Sequence, residues 1–179
     1  MEKLDHYHVL ITGPSGTGKT YFASELGRLG YPVQDGDHIP GLGYFVDNKT
    51  REFAEFNPLG DIEWFTNHTY IWNREVLEKY LEDNPRIILC GGTTNYEEVA
   101  DLFDKIFYLK VDKELILKNL RDESRENAYG KTYEQQQYAS EGIDMFYNNV
   151  PKGWLPLVSR NPGELVSEIE LQLNGYLQK

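Results

Sequence analysis

The stretch His8-Val-Leu-Ile-Thr-Gly-Pro-Ser-Gly-Thr-Gly-Lys-Thr20 decides the fold of this chain. Residues 9–11 form a short apolar run, long enough for a buried strand. Gly13-x-x-x-x-Gly18-Lys19-Thr20 follows at once, and a helical pattern opens at Gly18. Strand, glycine loop and helix in this order are the context that a phosphate-binding P-loop requires. A glycine-rich turn that binds nothing is the alternative, and the preceding strand argues against it.

The chemistry of this loop predicts that the chain binds a nucleoside triphosphate. Glycines let the backbone turn tightly with its N–H groups towards phosphate oxygens, and the helix N-terminus adds further donors. Lys19 can reach the β- and γ-phosphates, and the Thr20 hydroxyl can join Mg²⁺. The predicted nucleotide contacts of the loop are Gly13, Ser15, Gly16, Thr17, Gly18, Lys19 and Thr20.

Composition predicts one ordinary globular domain spanning residues 1–179. The chain is 40% hydrophobic and 26% charged, and it has no long apolar run and no signal-peptide pattern. We therefore expect no membrane partner, and the single cysteine, Cys90, favours a reducing cytoplasm. A net charge of −11 opposes a nucleic-acid-binding surface, but it leaves room for a small-molecule substrate.

Apolar runs alternate with helical patterns along the whole chain. Five short strands are predicted, at 9–11, 31–34, 86–90, 106–111 and 154–158. Strands that alternate with helices imply a five-stranded parallel sheet between helix layers, a three-layer α/β/α fold of the P-loop nucleoside triphosphate hydrolase type. In such a sheet the ligand loops gather at the carboxyl ends of the strands.

The helical patterns have identifiable boundaries. We expect helices after the glycine loop as far as Gly30, from about Asp61 to Leu81, after a Thr94/Glu97 capping box, after Asp112, from Thr132 to Tyr147, and after Asn161-Pro162-Gly-Glu. Residues 38–60 contain several Gly, Pro and Asn residues and are predicted to be mostly irregular.

A pair of acids, Asp35-Gly36-Asp37, follows the second predicted strand. One carboxylate can help to hold hydrated Mg²⁺ while the other accepts a proton from a substrate hydroxyl. An acidic turn around Gly36 is the structural alternative. A GTPase is disfavoured because no Asn-Lys-x-Asp motif is present, and a motor ATPase because the third strand ends without an acid, in Leu-Cys-Gly-Gly92.

Four stretches together resemble the nucleoside-monophosphate-kinase-like P-loop fold, near its shikimate-kinase-like and adenylate-kinase-like branch. They are Gly13–Thr20, Asp35-x-Asp37, Cys90-Gly91-Gly92 and Arg160-Asn161-Pro162-Gly163. The resemblance covers the chain in order, although only the glycine loop is specific alone. It implies a small-molecule kinase that uses ATP and Mg²⁺, with an acceptor-binding insert at about 38–82 and a lid at about 121–131.

The resemblance also implies individual roles. Asp35 would lie near Mg²⁺, Asp37 would contact the acceptor hydroxyl, and Gly91 with Gly92 would form part of the acceptor floor. Arg121 would stack on adenine, and the segment from Arg160 to Pro162 would lie against the other side of the base. Members of the shikimate branch clamp a carboxylate with arginines, for which Arg51 and Arg74 are the candidates between the acid pair and Arg86.

Two features leave the acceptor open among a hydroxy acid, a nucleoside, a nucleotide and another hydroxylated metabolite. The third strand carries Cys90-Gly-Gly where shikimate kinases carry three glycines, and the insert 39–47 with the stretch 64–74 is more similar to other bacterial members of this fold. Residues Tyr44, Phe45, Trp64, His68 and Trp72 can wall an acceptor pocket or be packed core.

The expected lid, residues 121–131, is polar, with Arg125 as the catalytic candidate, Lys131 as a second cation and Gly130 as a possible hinge. A solvated charged loop is the alternative. The sequence therefore predicts an ATP- and Mg²⁺-dependent kinase with Lys19, Asp37 and Arg125 as catalytic residues. A nucleotide-binding switch without an acceptor is the competing hypothesis.

Overall fold

A computed structural model describes residues 2–57, 61–123 and 129–179 of the chain. The strands within these ranges, numbered along the chain, are β1 (Glu2–Lys3), β2 (Tyr7–Thr12), β3 (Val33–Asp35), β4 (Gly43–Asp47), β5 (Phe53–Ala54), β6 (His68–Trp72), β7 (Arg86–Cys90), β8 (Lys105–Leu109), β9 (Leu155–Leu157) and β10 (Gly175–Tyr176). The α-helices are α1 (Lys19–Arg28), α2 (Ile62–Asn67), α3 (Arg74–Asp83), α4 (Tyr96–Val99), α5 (Lys113–Arg121), α6 (Tyr133–Asn148) and α7 (Pro162–Leu173). Short 3₁₀ turns lie at Gly36–His38 and Ala100–Leu102.

The centre of the fold is a five-stranded parallel sheet in the order β3-β7-β2-β8-β9, which confirms the predicted architecture. Alternate residues of a strand point to opposite faces. Val9 and Ile11 of β2 are buried in one hydrophobic cluster, with residues of α1, α5 and α7. Leu10 between them is buried in a second cluster, with residues of α3. Helices therefore cover both faces of the sheet.

The strand order brings three of the predicted site segments together. The glycine loop follows β2, the Asp35 pair ends β3, and Gly91-Gly92 follows β7. Because β3, β7 and β2 are neighbours and run in the same direction, their carboxyl ends meet at one edge of the sheet.

The predicted long helix from Asp61 to Leu81 is wrong. The segment forms α2, then strand β6, then α3. β6 pairs antiparallel with β4, so that Tyr70 lies opposite Phe45 and Trp72 opposite Gly43. The helical spacing of the aromatic residues gives no indication of this pairing. Asn73 then starts α3, since its side chain accepts a hydrogen bond from the Val76 amide.

The expectation that residues 38–60 are mostly irregular is also incorrect for part of that range. Strands β4 and β5 lie within it, and with β6 they form a three-stranded antiparallel sheet in the order β5-β4-β6. We call this the small sheet. It stands beside the carboxyl edge of the large sheet, because Trp72 of β6 packs against Gly36 and Gly91.

Helix boundaries agree with the sequence where a side chain caps the first turn. Thr132 accepts from the Gln135 amide at the start of α6, and Asn161 accepts from the Gly163 and Glu164 amides at the start of α7. The Thr94/Glu97 capping box is wrong, since α4 begins after Asn95 and the Thr94 hydroxyl donates to the Tyr70 carbonyl. No helix in the described ranges is long and apolar enough to cross a membrane.

Candidate active site

Helix α5 packs against the glycine loop that joins β2 to α1. Gly16 has a φ of 88°, and a Cβ at this position would lie 2.9 Å from the Leu120 side chain and 3.0 Å from the Ile116 carbonyl oxygen. The Asn119 amide also donates a hydrogen bond to the Gly16 carbonyl at 2.9 Å. Only glycine fits so close to the helix, so the loop is fixed in position by packing.

Lys19 folds back over the loop. Its Nζ donates to the Gly13 carbonyl at 2.7 Å and to the Pro14 carbonyl at 3.0 Å. The buried Thr17 hydroxyl donates to the same Pro14 carbonyl at 2.9 Å. Gly18 ends the loop and provides no side-chain cap, so the first-turn amides of α1 are left for another acceptor.

Arg160 contacts the same loop where it joins α1. Its Nη1 donates to the Thr17 carbonyl at 2.9 Å, and its guanidinium lies 5.8 Å from the centre of the Phe22 ring. A Cβ on Gly18 would come within 3.4 Å of Nη2. The structure therefore places Arg160 at the mouth of the glycine loop.

Asp35 is the last residue of β3 and lies opposite Cys90 of β7. Oδ1 accepts a hydrogen bond from the Asp37 amide at 3.0 Å. Oδ2 is buried, and none of the described residues offers it a hydrogen bond. A buried carboxylate oxygen of this kind is costly unless a cation or donor reaches it.

The pKa of the Cys90 thiol is shifted by its burial and by two charged groups nearby. Burial raises the pKa of this thiol, the Asp35 carboxylate raises it further, and the Lys19 ammonium lowers it. Asp35 and Lys19 therefore both lie close enough to the end of β7 to shift the pKa of the same thiol. Cys90 is completely buried, in line with a small apolar residue rather than a nucleophile.

Asp37 lies two residues beyond Asp35 in the 3₁₀ turn and is exposed. The Tyr70 hydroxyl of β6 donates to Asp37 Oδ1 at 3.3 Å. Burial raises the pKa of the Tyr70 hydroxyl, and the Asp37 carboxylate raises it further. Tyr70 was not among the predicted site residues, because a tyrosine inside a presumed helix gave no sign that it faced the acid pair.

Gly91 and Gly92 lie at the carboxyl end of β7, as the sequence predicts. A Cβ on Gly91 would lie 2.6 Å from Cζ2 of Trp72, and one on Gly36 would lie 3.0 Å from the same atom. The indole is thus packed onto both glycines. Gly92 faces the Tyr96 hydroxyl and the Gly13 carbonyl, so the double glycine touches both the small sheet and the glycine loop.

The remaining predicted residues are dispersed. Arg121 is exposed at the end of α5, with Nε bonded to the Leu117 carbonyl, and Pro162 begins α7. Arg51 is exposed in the turn between β4 and β5. The Arg74 guanidinium pairs with Glu78 of its own helix, α3, and with Asp101 in the turn after α4. Arg125 lies outside the described residues.

The residues at the loop fit a magnesium ion held together with phosphates. Mg²⁺ in nucleotide sites takes one or two protein oxygens and completes its shell with phosphate and water. Two oxygens are of this type: the Thr20 hydroxyl in the first turn of α1, and the buried Oδ2 of Asp35, to which no described residue donates. In the described part of the chain no cluster of three or more His, Cys, Asp or Glu side chains forms a cage of its own.

Comparisons with solved structures agree with this fold. The chain is similar to a shikimate kinase from Acinetobacter baumannii in complex with shikimate, at 19% identity and a TM-score of 0.56 over 95% of this chain and 94% of that one. It is similar to a deoxyadenosine kinase from M. mycoides with bound dATP, at 17% identity and a TM-score of 0.52 over 94% of this chain and 100% of the other. No protein-family model matches the chain, and no curated protein matches it. At these identities the similarity establishes the fold.

Proposed function

We propose that the chain is a phosphotransferase that uses ATP and Mg²⁺ to phosphorylate a hydroxyl of a small metabolite. The observation that carries this proposal is the position of two carboxylates at the end of β3. Asp35 is buried with one oxygen that no described residue bonds, and Asp37 is exposed and directly follows Gly36, which lies beside Gly91. Two neighbouring acids in different environments suit two different roles.

The donor half of the site is the glycine loop. Lys19 now bonds to two loop carbonyls, and phosphate oxygens would replace these acceptors when ATP binds. Thr20 and Asp35 would hold Mg²⁺, which supplies charge neutralisation on the phosphates. Arg160 at the loop and Arg121 at the end of α5 are the proposed contacts of the adenine base.

The acceptor half begins at Asp37. Its carboxylate takes the proton of the acceptor hydroxyl, the hydroxyl oxygen bonds to the γ-phosphorus, and the bond to the β-phosphate oxygen breaks to release ADP. Gly91 and Gly92 provide a floor without side chains for the acceptor. Arg125, in the expected lid at about 121–131, remains our proposed lid cation; this residue lies outside the described ranges.

The similar solved structures support this reading. Two of them are kinases, one in complex with shikimate and the other with dATP, and each aligns with this chain over nearly its whole length. We place the enzyme in the cytoplasm, where a buried free thiol such as Cys90 is stable.

A nucleotide-binding switch without an acceptor is the second candidate. The observation in its favour is that β7 ends in Cys90-Gly91-Gly92, without the acid that ATPases of the motor type carry there. ADP release with ATP alone is compared with release in the presence of nucleosides, nucleotides and hydroxy acids. Acceptor-stimulated release supports the kinase, whereas bound ATP with no stimulation by any acceptor supports the switch.

A further inference from the structure

The geometry points to an uncharged acceptor that carries a planar ring and a free hydroxyl, the class to which nucleosides belong, bound against an aromatic surface of the small sheet. This inference rests on the proposed kinase function and adds the class of its acceptor. We call the surface the aromatic wall, and its members are Phe45, Phe56, Trp64, His68 and Tyr70.

The rings of the aromatic wall form one connected set centred on Phe45. Its ring centre lies 5.2 Å from that of Phe56, stacked at 10°, 5.0 Å from that of Trp64 and 5.2 Å from that of Tyr70. Trp64 stacks in turn on His68 at 4.5 Å. The series starts at Tyr70, whose hydroxyl bonds to Asp37, so the wall runs directly from the acceptor acid.

Strand register places the wall on the face that looks towards the double glycine. Phe45 and Tyr70 are opposite each other in the β4–β6 ladder, so their side chains share a face. Trp72, two residues after Tyr70, shares that face and packs on Gly91. The same face therefore carries the rings and meets the floor of the acceptor site.

The wall is not simply part of the protein interior. Trp72 is 1% exposed and belongs to a buried cluster, which settles its role as core. Phe56 is 43% exposed, and Phe45 and Trp64 are half-buried. None of these three rings joins either of the buried clusters found in the described residues. Contiguous rings that stay open to solvent beside an acid are typical of a ligand surface.

His68 fixes the orientation of the indole. Its Nδ1 lies 2.7 Å from the Trp64 carbonyl oxygen, which can only accept, so Nδ1 carries the proton. The imidazole is held nearly parallel to the indole, at 18°. Trp64 is thereby set in place before a ligand arrives, and preorganised rings bind with a smaller loss of conformational entropy.

Charge around the wall opposes an anionic acceptor. Residues 36–73 contain six carboxylates and two cations, Lys49 and Arg51. Arg51 follows the Asp47 end of β4, whereas the Tyr70 hydroxyl sits over Gly43 at the other end, four residues or about 13 Å away. Arg74 is held by Asp101 and Glu78. Neither Arg51 nor Arg74 is therefore placed to clamp a carboxylate or phosphate beside Asp37 in the part of the chain that the structure describes.

The test measures acceptor binding by calorimetry with a non-hydrolysable ATP analogue and Mg²⁺ present, so that the monophosphates cannot occupy the glycine loop. The probes are adenosine, cytidine, thymidine and pyridoxine as uncharged ring compounds, the 5′-monophosphates of the three nucleosides, and shikimate as a carboxylate. We expect at least one uncharged ring compound to bind, with its monophosphate about tenfold weaker or worse. Tighter binding of monophosphates or shikimate, or no binding by any uncharged ring compound, overturns the inference.

Variants of the small sheet identify the surface that binds. Trp64→Leu should weaken binding of the ring compound about tenfold, and Phe56→Ala, which removes an exposed ring, about threefold. Phe53→Leu is the matched control, because Phe53 is 72% exposed and pairs with Val46 on the opposite face of the same sheet. Equal affinities in Phe56→Ala and Phe53→Leu overturn the inference, even if Trp64→Leu does not fold.

Transfer assays on the same panel separate this inference from the kinase proposal. Binding of a ring compound that is lost in Phe56→Ala, without any phosphorylated product, contradicts the kinase proposal and leaves the wall in place. Phosphorylation of shikimate at the same rate by wild type and Phe56→Ala supports the kinase and overturns the wall.

Discussion

The Tyr70 hydroxyl donates a hydrogen bond to Asp37 Oδ1 at 3.3 Å, and this contact joins the small sheet to the acid pair at the edge of the large sheet. Tyr70 also lies against Gly43, where a Cβ would overlap its hydroxyl. The Asp37 carboxylate, our proposed acceptor of the substrate proton, therefore has a hydrogen-bond donor from a different sheet.

Removing the Tyr70 hydroxyl should slow transfer without changing nucleotide binding. Tyr70→Phe keeps the ring in the aromatic wall and deletes only the hydrogen bond, which is long and partly exposed, so kcat should fall about three- to tenfold. Steady-state kinetics and ATP binding by calorimetry measure the two effects. Tyr44→Phe, on the other face of β4, should leave both unchanged. A Tyr70→Phe variant with wild-type kcat contradicts a positioning role for this hydroxyl.

A side chain at Gly91 should destabilise the fold more than one at Gly92. The new Cβ of Gly91→Ala would lie 2.6 Å from the fully buried Trp72 indole, whereas that of Gly92→Ala would have its nearest neighbour at 3.4 Å. Overpacking of this kind costs about 1–3 kcal/mol, so urea unfolding should show that loss in Gly91→Ala and less than about 1 kcal/mol in Gly92→Ala. Equal stabilities of the two variants would show that Trp72 does not press on Gly91.

Arg74 should act in stability and not in acceptor binding. Arg74→Gln breaks the pair with Asp101, so the melting temperature should fall slightly while the acceptor KM stays within about twofold of wild type. The Arg74 hydrogen bonds lower the pKa of Asp101. A carboxyl group whose pKa is lower in the folded state stabilises the fold at pH values above its unfolded-state pKa, and this stabilisation is lost as the pH falls. The difference in melting temperature between wild type and Arg74→Gln should therefore shrink below about pH 4.

Melting curves from pH 3 to pH 8, recorded with Asp101→Asn as the matched variant, check this pH dependence. A difference that grows towards acid pH is incompatible with the assigned pair. A KM raised about tenfold or more in Arg74→Gln, with unchanged melting, would instead restore Arg74 as an acceptor contact.

The large sheet and the glycine loop could be predicted from sequence because each depends on local chemistry. Residues 9–20 contain a buried strand, obligatory glycines and a helix start within one short stretch. Asn161 and Pro162 likewise mark the start of α7 through a cap and a fixed φ. The Asp35 pair could be placed because residues after parallel strands meet at one edge.

The small sheet could not be predicted because its structure depends on a distant partner. Trp64, Ile71 and Trp72 satisfy helical spacing, but the run His68–Trp72 is rich in β-branched and aromatic residues and pairs with β4 more than twenty residues earlier. Asn73, a good N-cap, was the available sign of a break before α3. Because β6 was not predicted, Tyr70 was not recognised from the sequence as part of the candidate site, and the aromatic wall was not recognised as one surface that includes it.

Phosphorus NMR of a mixture of ATP, Mg²⁺ and acceptor tests the central claim most directly. Wild-type protein should convert the acceptor to a phosphorylated product in step with ADP. Lys19→Ala and Asp37→Asn should lower that rate about a hundredfold or more while remaining folded. Asp37→Asn should still bind ATP with an affinity near that of wild type, because the proposed role of Asp37 is on the acceptor and not on the nucleotide. Release of ADP and inorganic phosphate at one rate with and without every acceptor, or wild-type transfer by Asp37→Asn, would contradict the account.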